Sequence, residues 1–187
     1  MNETIADCSS TKIEEMKSQW KYYQVVAPEN NQKSWADCIK PIATIPTFPE
    51  LLDSFDKTLE FGLENLNDLN FFKNDIKPIW EEQANKNGGR IIMEVPLSQK
   101  DIVFEIWKRT VVFCAMNLFT TVNGCVYAEK ANFRICIWIG DSNFSEEVTN
   151  AWKKVLDNDQ ATFIYSSHDR ASDASKRGKK YLHKNKN

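Results

Sequence analysis

The sequence predicts an α+β fold: an antiparallel sheet with three amphipathic helices laid on one of its faces. Three observations carry this expectation. The chain has 187 residues, 42% of them hydrophobic, which suits one domain burying roughly 70% of its unfolded surface. Short segments rich in aromatic and β-branched residues come in pairs joined by turn residues, as antiparallel neighbours do. Between them lie three stretches whose apolar residues recur at spacings of three and four, and such stripes need a sheet face to cover.

Each element has its own signal. Residues 1–17 are polar without a period and are expected to form a flexible tail. Trp20–Ala27 and Ser34–Ile42 read as the first two strands, broken apart by Pro28, Glu29 and Asn30. Thr47-Phe48-Pro49-Glu50 opens the first helix: Thr47 caps it, Pro49 suits the first turn and Glu50 completes a capping box. Phe48, Leu52, Phe55 and Leu59 supply its stripe. Asn87-Gly88-Gly89, tolerant of positive φ, leads into a strand over Arg90–Val95. The second helix starts at Ser98, with Val103, Ile106, Trp107, Thr110, Val111, Cys114 and Leu118 along one face. Val122–Ala128 and Phe133–Ile139 form a strand pair. The third helix opens at Asn143 or Ser145 and buries Val148, Trp152, Val155 and Leu156. Ala161–Ser166 is the last strand. The domain therefore spans 18–175, and 176–187, rich in lysine and free of acid, is expected to be a basic flexible tail.

Composition narrows the function. A formal charge of −2 argues against a cationic protein that coats nucleic acid through its phosphates, so any RNA recognition must be local. Five cysteines without a C-x-x-C pair suit neither a disulfide framework nor a zinc site. Cys114, Cys125 and Cys136 sit in apolar stretches as small hydrophobes. The first residues carry no apolar run, and no window approaches the ~18 apolar residues of a membrane helix. A soluble intracellular protein is expected. Six tryptophans are many for packing alone. Trp107 and Trp152 lie on helix stripes and read as core with Trp20, and some of the others are candidates to face a ligand.

The chemistry gathers in Phe71–Ile92. Pro78 stiffens the chain before Trp80, and Glu81 follows. An exposed indole beside a carboxylate suits purine recognition: the ring stacks and the carboxylate accepts from two adjacent N–H groups. Lys77-Pro78-Ile79-Trp80-Glu81-Glu82 and Asn85-Lys86-Asn87-Gly88-Gly89-Arg90 resemble the signature segment of the eukaryotic translation initiation factor 4E family, and the similarity runs from about Trp20 to about Lys176. The resemblance implies a curved sheet with three helices on its convex face and a ligand slot on the concave face. It implies binding of the 7-methylguanosine cap of messenger RNA for translation initiation, in the cytoplasm, with the nucleus as a secondary alternative. Trp35 and Trp80 resemble the two stacking tryptophans, Glu81 the guanine reader and Trp138 the tryptophan beside the N7 methyl. Arg90, Lys130 and Arg134 resemble the phosphate-binding residues. Ser167, His168 and Lys176 match a loop beside the next nucleotide. No cofactor, metal or catalytic residue is implied, and the expected state is a monomer.

Elementary physics suits that assignment. Methylation at N7 makes guanine a delocalised cation, which gains stacking of roughly 1–3 kcal/mol per base and a cation–π contribution of about 0.5–2 kcal/mol between two indoles. Glu81 would accept from N1–H and the exocyclic amine, a pair adenine lacks, and the Trp80 backbone N–H would donate to O6. The loops bearing Trp35 and Trp80 are expected to be mobile when empty. A cap-processing enzyme is the alternative of another class, but there is no P-loop and no G-x-G-x-x-G. Ser167-His168-Asp169, three consecutive residues, cannot line up as a catalytic triad. A cap-binding repressor is the third reading. The family's partners, scaffolds of the initiation factor 4G type and repressor peptides, dock on the helical face. Phe48, Leu52, Trp107, Lys108, Arg109 and Val112 fall in that region. Leu52 stands where a tryptophan is usual, and Lys108-Arg109 where a Leu-Glu pair is usual, so a partner with altered, more acidic chemistry is expected.

Overall fold

Strand alternation sorts the side chains of this protein onto two unlike faces of one sheet. The computed structural model describes residues 15–26, 35–60, 68–158 and 161–168. In chain order the elements are β1 (Glu15–Val25), α1 (Trp35–Cys38), β2 (Ile39–Thr47), α2 (Phe48–Glu60), β3 (Asp68–Lys73), β4 (Gly89–Val95), α3 (Lys100–Ala115), β5 (Val122–Glu129), β6 (Phe133–Ile139), α4 (Ser145–Leu156) and β7 (Phe163–Ser167). The strands form one curved antiparallel sheet in the order β2-β1-β3-β5-β6-β4-β7.

One face carries the main core. Trp20, Phe71, Ile91, Cys125, Ile135, Ile137 and Ile139 meet Leu51 and Phe55 of α2, Val103, Trp107 and Val111 of α3, and Val148 and Trp152 of α4. Three long helices on one face is the expected arrangement, and α1 adds a fourth, single-turn helix. Trp20, Trp107 and Trp152 are each 0% exposed, as the stripes predict. Cys38, Cys114, Cys125 and Cys136 are buried, and the last three are free thiols. Trp152 Nε1 donates to Thr110 Oγ1 at 3.0 Å, and Thr110 passes a bond to the Ile106 carbonyl at 2.7 Å. This chain ties α4 to α3 without leaving the indole N–H unmet.

Several expectations are corrected. The chain enters β1 at Glu15, inside the expected tail; Lys176 and the basic segment 176–187 lie outside the described residues. Ser34–Ile42 is not one strand: Trp35–Cys38 turns helically, and β2 then runs straight to Thr47. Pro41 and Pro46 are tolerated there because β2 is an edge strand with one side free of ladder bonds. β3 escapes sequence reading altogether. It is a central strand whose Leu69, Asn70, Phe71, Phe72 and Lys73 are all buried, so it shows no alternation. The capping box forms in half: Glu50 N donates to Thr47 Oγ1 at 3.4 Å, while the Glu50 carboxylate accepts from the Thr47 hydroxyl at 2.8 Å in place of its backbone N–H. The buried stripe of α2, however, runs through Leu51 and Phe55, and Leu52 is 60% exposed. Leu118 falls beyond α3 and Val155 faces outward; both are exposed.

Gly88 and Gly89 do not take positive φ. Gly88 is needed because a Cβ there would lie 1.7 Å from the Ile139 carbonyl oxygen. The tight seat sets the start of β4 against β6.

Candidate functional site

On the sheet face away from the long helices, the even-numbered residues of β6 and β4 point outward together. Arg134, Cys136 and Trp138 alternate with Phe133, Ile135, Ile137 and Ile139, which belong to the main core. Strand register stacks them in rows. Gly124, Trp138 and Arg90 form one row, Val126, Cys136 and Ile92 the next, and Ala128, Arg134 and Glu94 the third. A small second cluster of Tyr23, Ile39, Phe72, Ile92, Cys136 and Trp138 packs this face.

The segment after β3 hangs over these rows and brings Trp80 and Glu81 to them. The result is a cleft of about 410 Å³ lined by Trp80, Glu81, Arg90, Lys130, Arg134 and Trp138, with Asn70, Val126 and Cys136 beneath and Val25 and Ile39 at one end. Six of the seven predicted cap-site residues therefore share one cavity. Trp35 is the seventh. Its backbone opens α1, four residues before Ile39; its side chain lies outside the described residues.

The overhanging segment is held by polar contacts that sequence reading missed. Asn85, 0% exposed, donates to the carbonyls of Lys77 at 3.0 Å and Ile79 at 2.9 Å. Asn123 Nδ2 donates to Asn85 Oδ1 at 3.0 Å and to the Ala84 carbonyl at 2.7 Å. These bonds close the backbone on both sides of Trp80-Glu81, which counts against the expected looseness of that loop. In the sequence, Asn85 stands only as the first residue of the second signature segment, and nothing in its spacing shows that it braces the overhang.

His168 is corrected from a nucleotide-loop residue to a structural one. It is buried, its Nδ1 lies 2.8 Å from the Asn85 carbonyl oxygen, and its backbone N–H donates to the Gly88 carbonyl. Ser167 ends β7 opposite Gly89. The His168 ring packs on Trp138 at 4.4 Å between centroids, while Phe72 meets the same indole edge-on at 5.5 Å. Trp138 is thus clamped between β3 and the end of β7. Gly124 makes room for this, since a Cβ there would lie 2.5 Å from the Phe72 ring.

Charge is concentrated at the cleft's other end. Arg90 and Arg134 line the cleft together with Cys136; burial pushes the Cys136 thiol up to about 12, and the two nearby cations pull it back. Arg134 is paired with Glu94, Nη2 to Oε1 at 2.5 Å and Nε to Oε1 at 3.1 Å. Lys130 Nζ stands 3.6 Å from Asp68 Oδ1. Burial raises the Asp68 carboxyl above its ordinary range, and Lys130 works against that shift. No cluster of metal-ligating side chains occurs among the described residues.

The helical face is separate. Leu52 is exposed, and Phe48 and Val112 are half-buried. Trp107 is wholly buried and supports this surface from beneath, so its place in a docking surface is corrected. Lys108 pairs with Glu105 and lies over the Phe104 ring at 5.1 Å, and Arg109 donates to the Leu156 carbonyl at 3.2 Å.

A curved sheet, backed by helices and carrying an aromatic, cation-edged cleft on its open face, defines a single-sheet ligand-binding domain. Its sequence matches the profile of the family described as Eukaryotic initiation factor 4E over residues 15–182. The chain belongs to the eukaryotic initiation factor 4E family. It is 25% identical over 169 residues to eukaryotic translation initiation factor 4E of Eremothecium gossypii, covering 84% of this chain and 79% of that protein. With the Dictyostelium discoideum factor it shares 27% over 173 residues, 86% of this chain and 68% of the other. The fold matches Caenorhabditis elegans eIF4E-3 in complex with the 4E-binding protein Mextli and a cap analog, with a TM-score of 0.72, 21% identity and coverage of 84% and 94%. It also matches Ascaris suum eIF4E-3 in complex with an m7G cap, with a TM-score of 0.71, 21% identity and coverage of 82% and 91%.

Proposed function

We propose that the cleft binds the 7-methylguanosine cap of messenger RNA and that the protein recruits capped message for translation initiation as a binder, without turnover. One observation carries this reading: Trp80, Glu81, Arg90, Lys130, Arg134 and Trp138, spread over some 58 positions of the chain, line one cavity. Family membership and the cap-bound relatives support it. In this reading the methylated base stacks between Trp35 and Trp80, Glu81 accepts from N1–H and the exocyclic amine, and Trp138 lies beside the N7 methyl. Arg90, Lys130 and Arg134 hold the phosphates. Tryptophan fluorescence titration with 7-methyl-GTP against GTP tests it. Quenching that depends on the methyl group is expected, and Glu81→Ala should cost about 1.5–3 kcal/mol, the scale of a hydrogen bond to a charged group. Equal affinity for GTP and 7-methyl-GTP rejects it.

A protein partner on the helical face is the second element, because 4E-binding proteins occupy relatives of this fold. Lys108 and Arg109 favour a partner with acidic residues there. Calorimetric titration of a basic scaffold peptide should show weak binding, and ordinary tight binding overturns this reading.

A further inference from the structure

The phosphate end of the cleft is already partly neutralised from within. Strand register lines up Asp68, Ala128, Arg134 and Glu94 across four adjacent strands, β3, β5, β6 and β4. The row therefore reads acid, neutral, base, acid, with Lys130 bridging back to Asp68. Glu94 is not a wall of the cleft. It sits directly opposite Arg134 in the β4–β6 ladder and takes two guanidinium N–H groups on one oxygen. Asn132 Nδ2 approaches the other oxygen at 3.4 Å. Of five guanidinium donors, two are spent on this carboxylate. Counting the three cations against Asp68 and Glu94 leaves a surplus of one positive charge at the place where an anionic chain would lie.

Resting on the reading of this cleft as a cap site, we propose that Glu94, assisted by Asp68, sets how strongly the protein responds to the phosphate chain of its ligand. Both carboxylates compete with phosphate oxygens for Arg134 and Lys130, so each phosphate adds less affinity than three unopposed cations would give. Recognition is thereby shifted onto the base. Glu94 is a specificity-determining residue that acts through Arg134. The pair is partly exposed, with side chains 37% and 40% accessible, so solvent screens it and the effect is a matter of a few fold.

The test compares wild type, Glu94→Gln and Asp68→Asn with three ligands: 7-methylguanosine, 7-methyl-GMP and 7-methyl-GTP. Folding of each variant is checked by thermal unfolding. Glu94→Gln is expected to leave 7-methylguanosine affinity unchanged and to tighten 7-methyl-GTP by about two- to fivefold, with 7-methyl-GMP between. The slope of log affinity against log salt steepens. Asp68→Asn tightens 7-methyl-GTP in the same direction. A 7-methyl-GTP affinity that falls in Glu94→Gln overturns the inference, because Glu94 then aims Arg134 at the phosphates. An equal change for nucleoside and triphosphate overturns it too. Wild type that fails to prefer 7-methyl-GTP over GTP overturns the cap reading itself and this inference with it.

Discussion

Asn85→Ala removes the bonds that hold the Trp80-Glu81 overhang in place. The amide donates to two carbonyls, at 3.0 and 2.9 Å, and accepts from Asn123 at 3.0 Å. Each such bond is worth about 1 kcal/mol net, while a buried polar group left without a partner costs about 1–3 kcal/mol. Asn123 keeps its bond to the Ala84 carbonyl, so its amide is not stranded. Lys77 is exposed and water can reach its carbonyl, whereas Ile79 packs against the small second cluster. The expected loss is therefore about 2–4 kcal/mol, more than one hydrogen bond and less than three stranded groups. Much of it falls on the overhang, whose open form then competes with the binding-competent one and lowers apparent affinity by its population. Urea denaturation and fluorescence titration with 7-methyl-GTP measure the two effects. Affinity should fall about tenfold. A stability change below about 0.5 kcal/mol together with unchanged affinity refutes the reasoning, because the overhang is then held by packing alone.

Three further outcomes are expected. Gly124→Ala drives a methyl into the Phe72 ring and the Phe71 carbonyl, should cost about 1–3 kcal/mol on the overpacking scale, and should weaken 7-methyl-GTP binding by disturbing the clamp on Trp138; chemical denaturation and titration check both. Trp152→Phe loses the bond to Thr110 and opens space under α4, so stability falls by about 1–3 kcal/mol with cap affinity unchanged, read by the same pair of measurements. Alkaline stability follows from the buried acids: the Cys136 thiol and the Tyr127 phenol are both raised to about 12, chiefly by burial. Between ordinary values near 9 and 10 and about 12 the folded state binds more protons than the unfolded one, so stability is full below about 9 and falls as pH rises through that window. Thermal melts should show a midpoint that falls at each step from about pH 9 to 11, with the Cys136→Ala variant falling less steeply.

The parts of the fold legible in the sequence are those where one face of an element is buried and the other is not. β5, β6 and α4 fall within a residue or two of their expected places for this reason, and α3 starts two residues late and stops three short of Leu118. β3 hides because both its faces are covered, and β2 because a helical turn and two prolines interrupt its pattern. On α2 the stripe is shifted by one residue, since Leu51 and Leu52 are adjacent and either one continues a spacing of three or four. Trp80, Glu81 and the basic residues were visible as types in an order. The carboxylates that oppose them were not, because Glu94 and Asp68 meet Arg134 and Lys130 only through strand register. The bracing role of Asn85 was hidden too: two of its partners are backbone carbonyls, which carry no letter, and the third, Asn123, is far away in the chain.

The even and odd positions of β6 have separate duties, and this governs which changes the chain can survive. Replacing Arg134, Cys136 or Trp138 alters what the cleft accepts and disturbs at most the small second cluster, while the main core on the opposite face stays intact. Losing or gaining a single residue inside the strand would instead turn Phe133, Ile135, Ile137 and Ile139 out to solvent and bring arginine and indole into the hydrophobic interior. Ligand preference in this protein is thus open to drift by substitution and closed to drift by insertion.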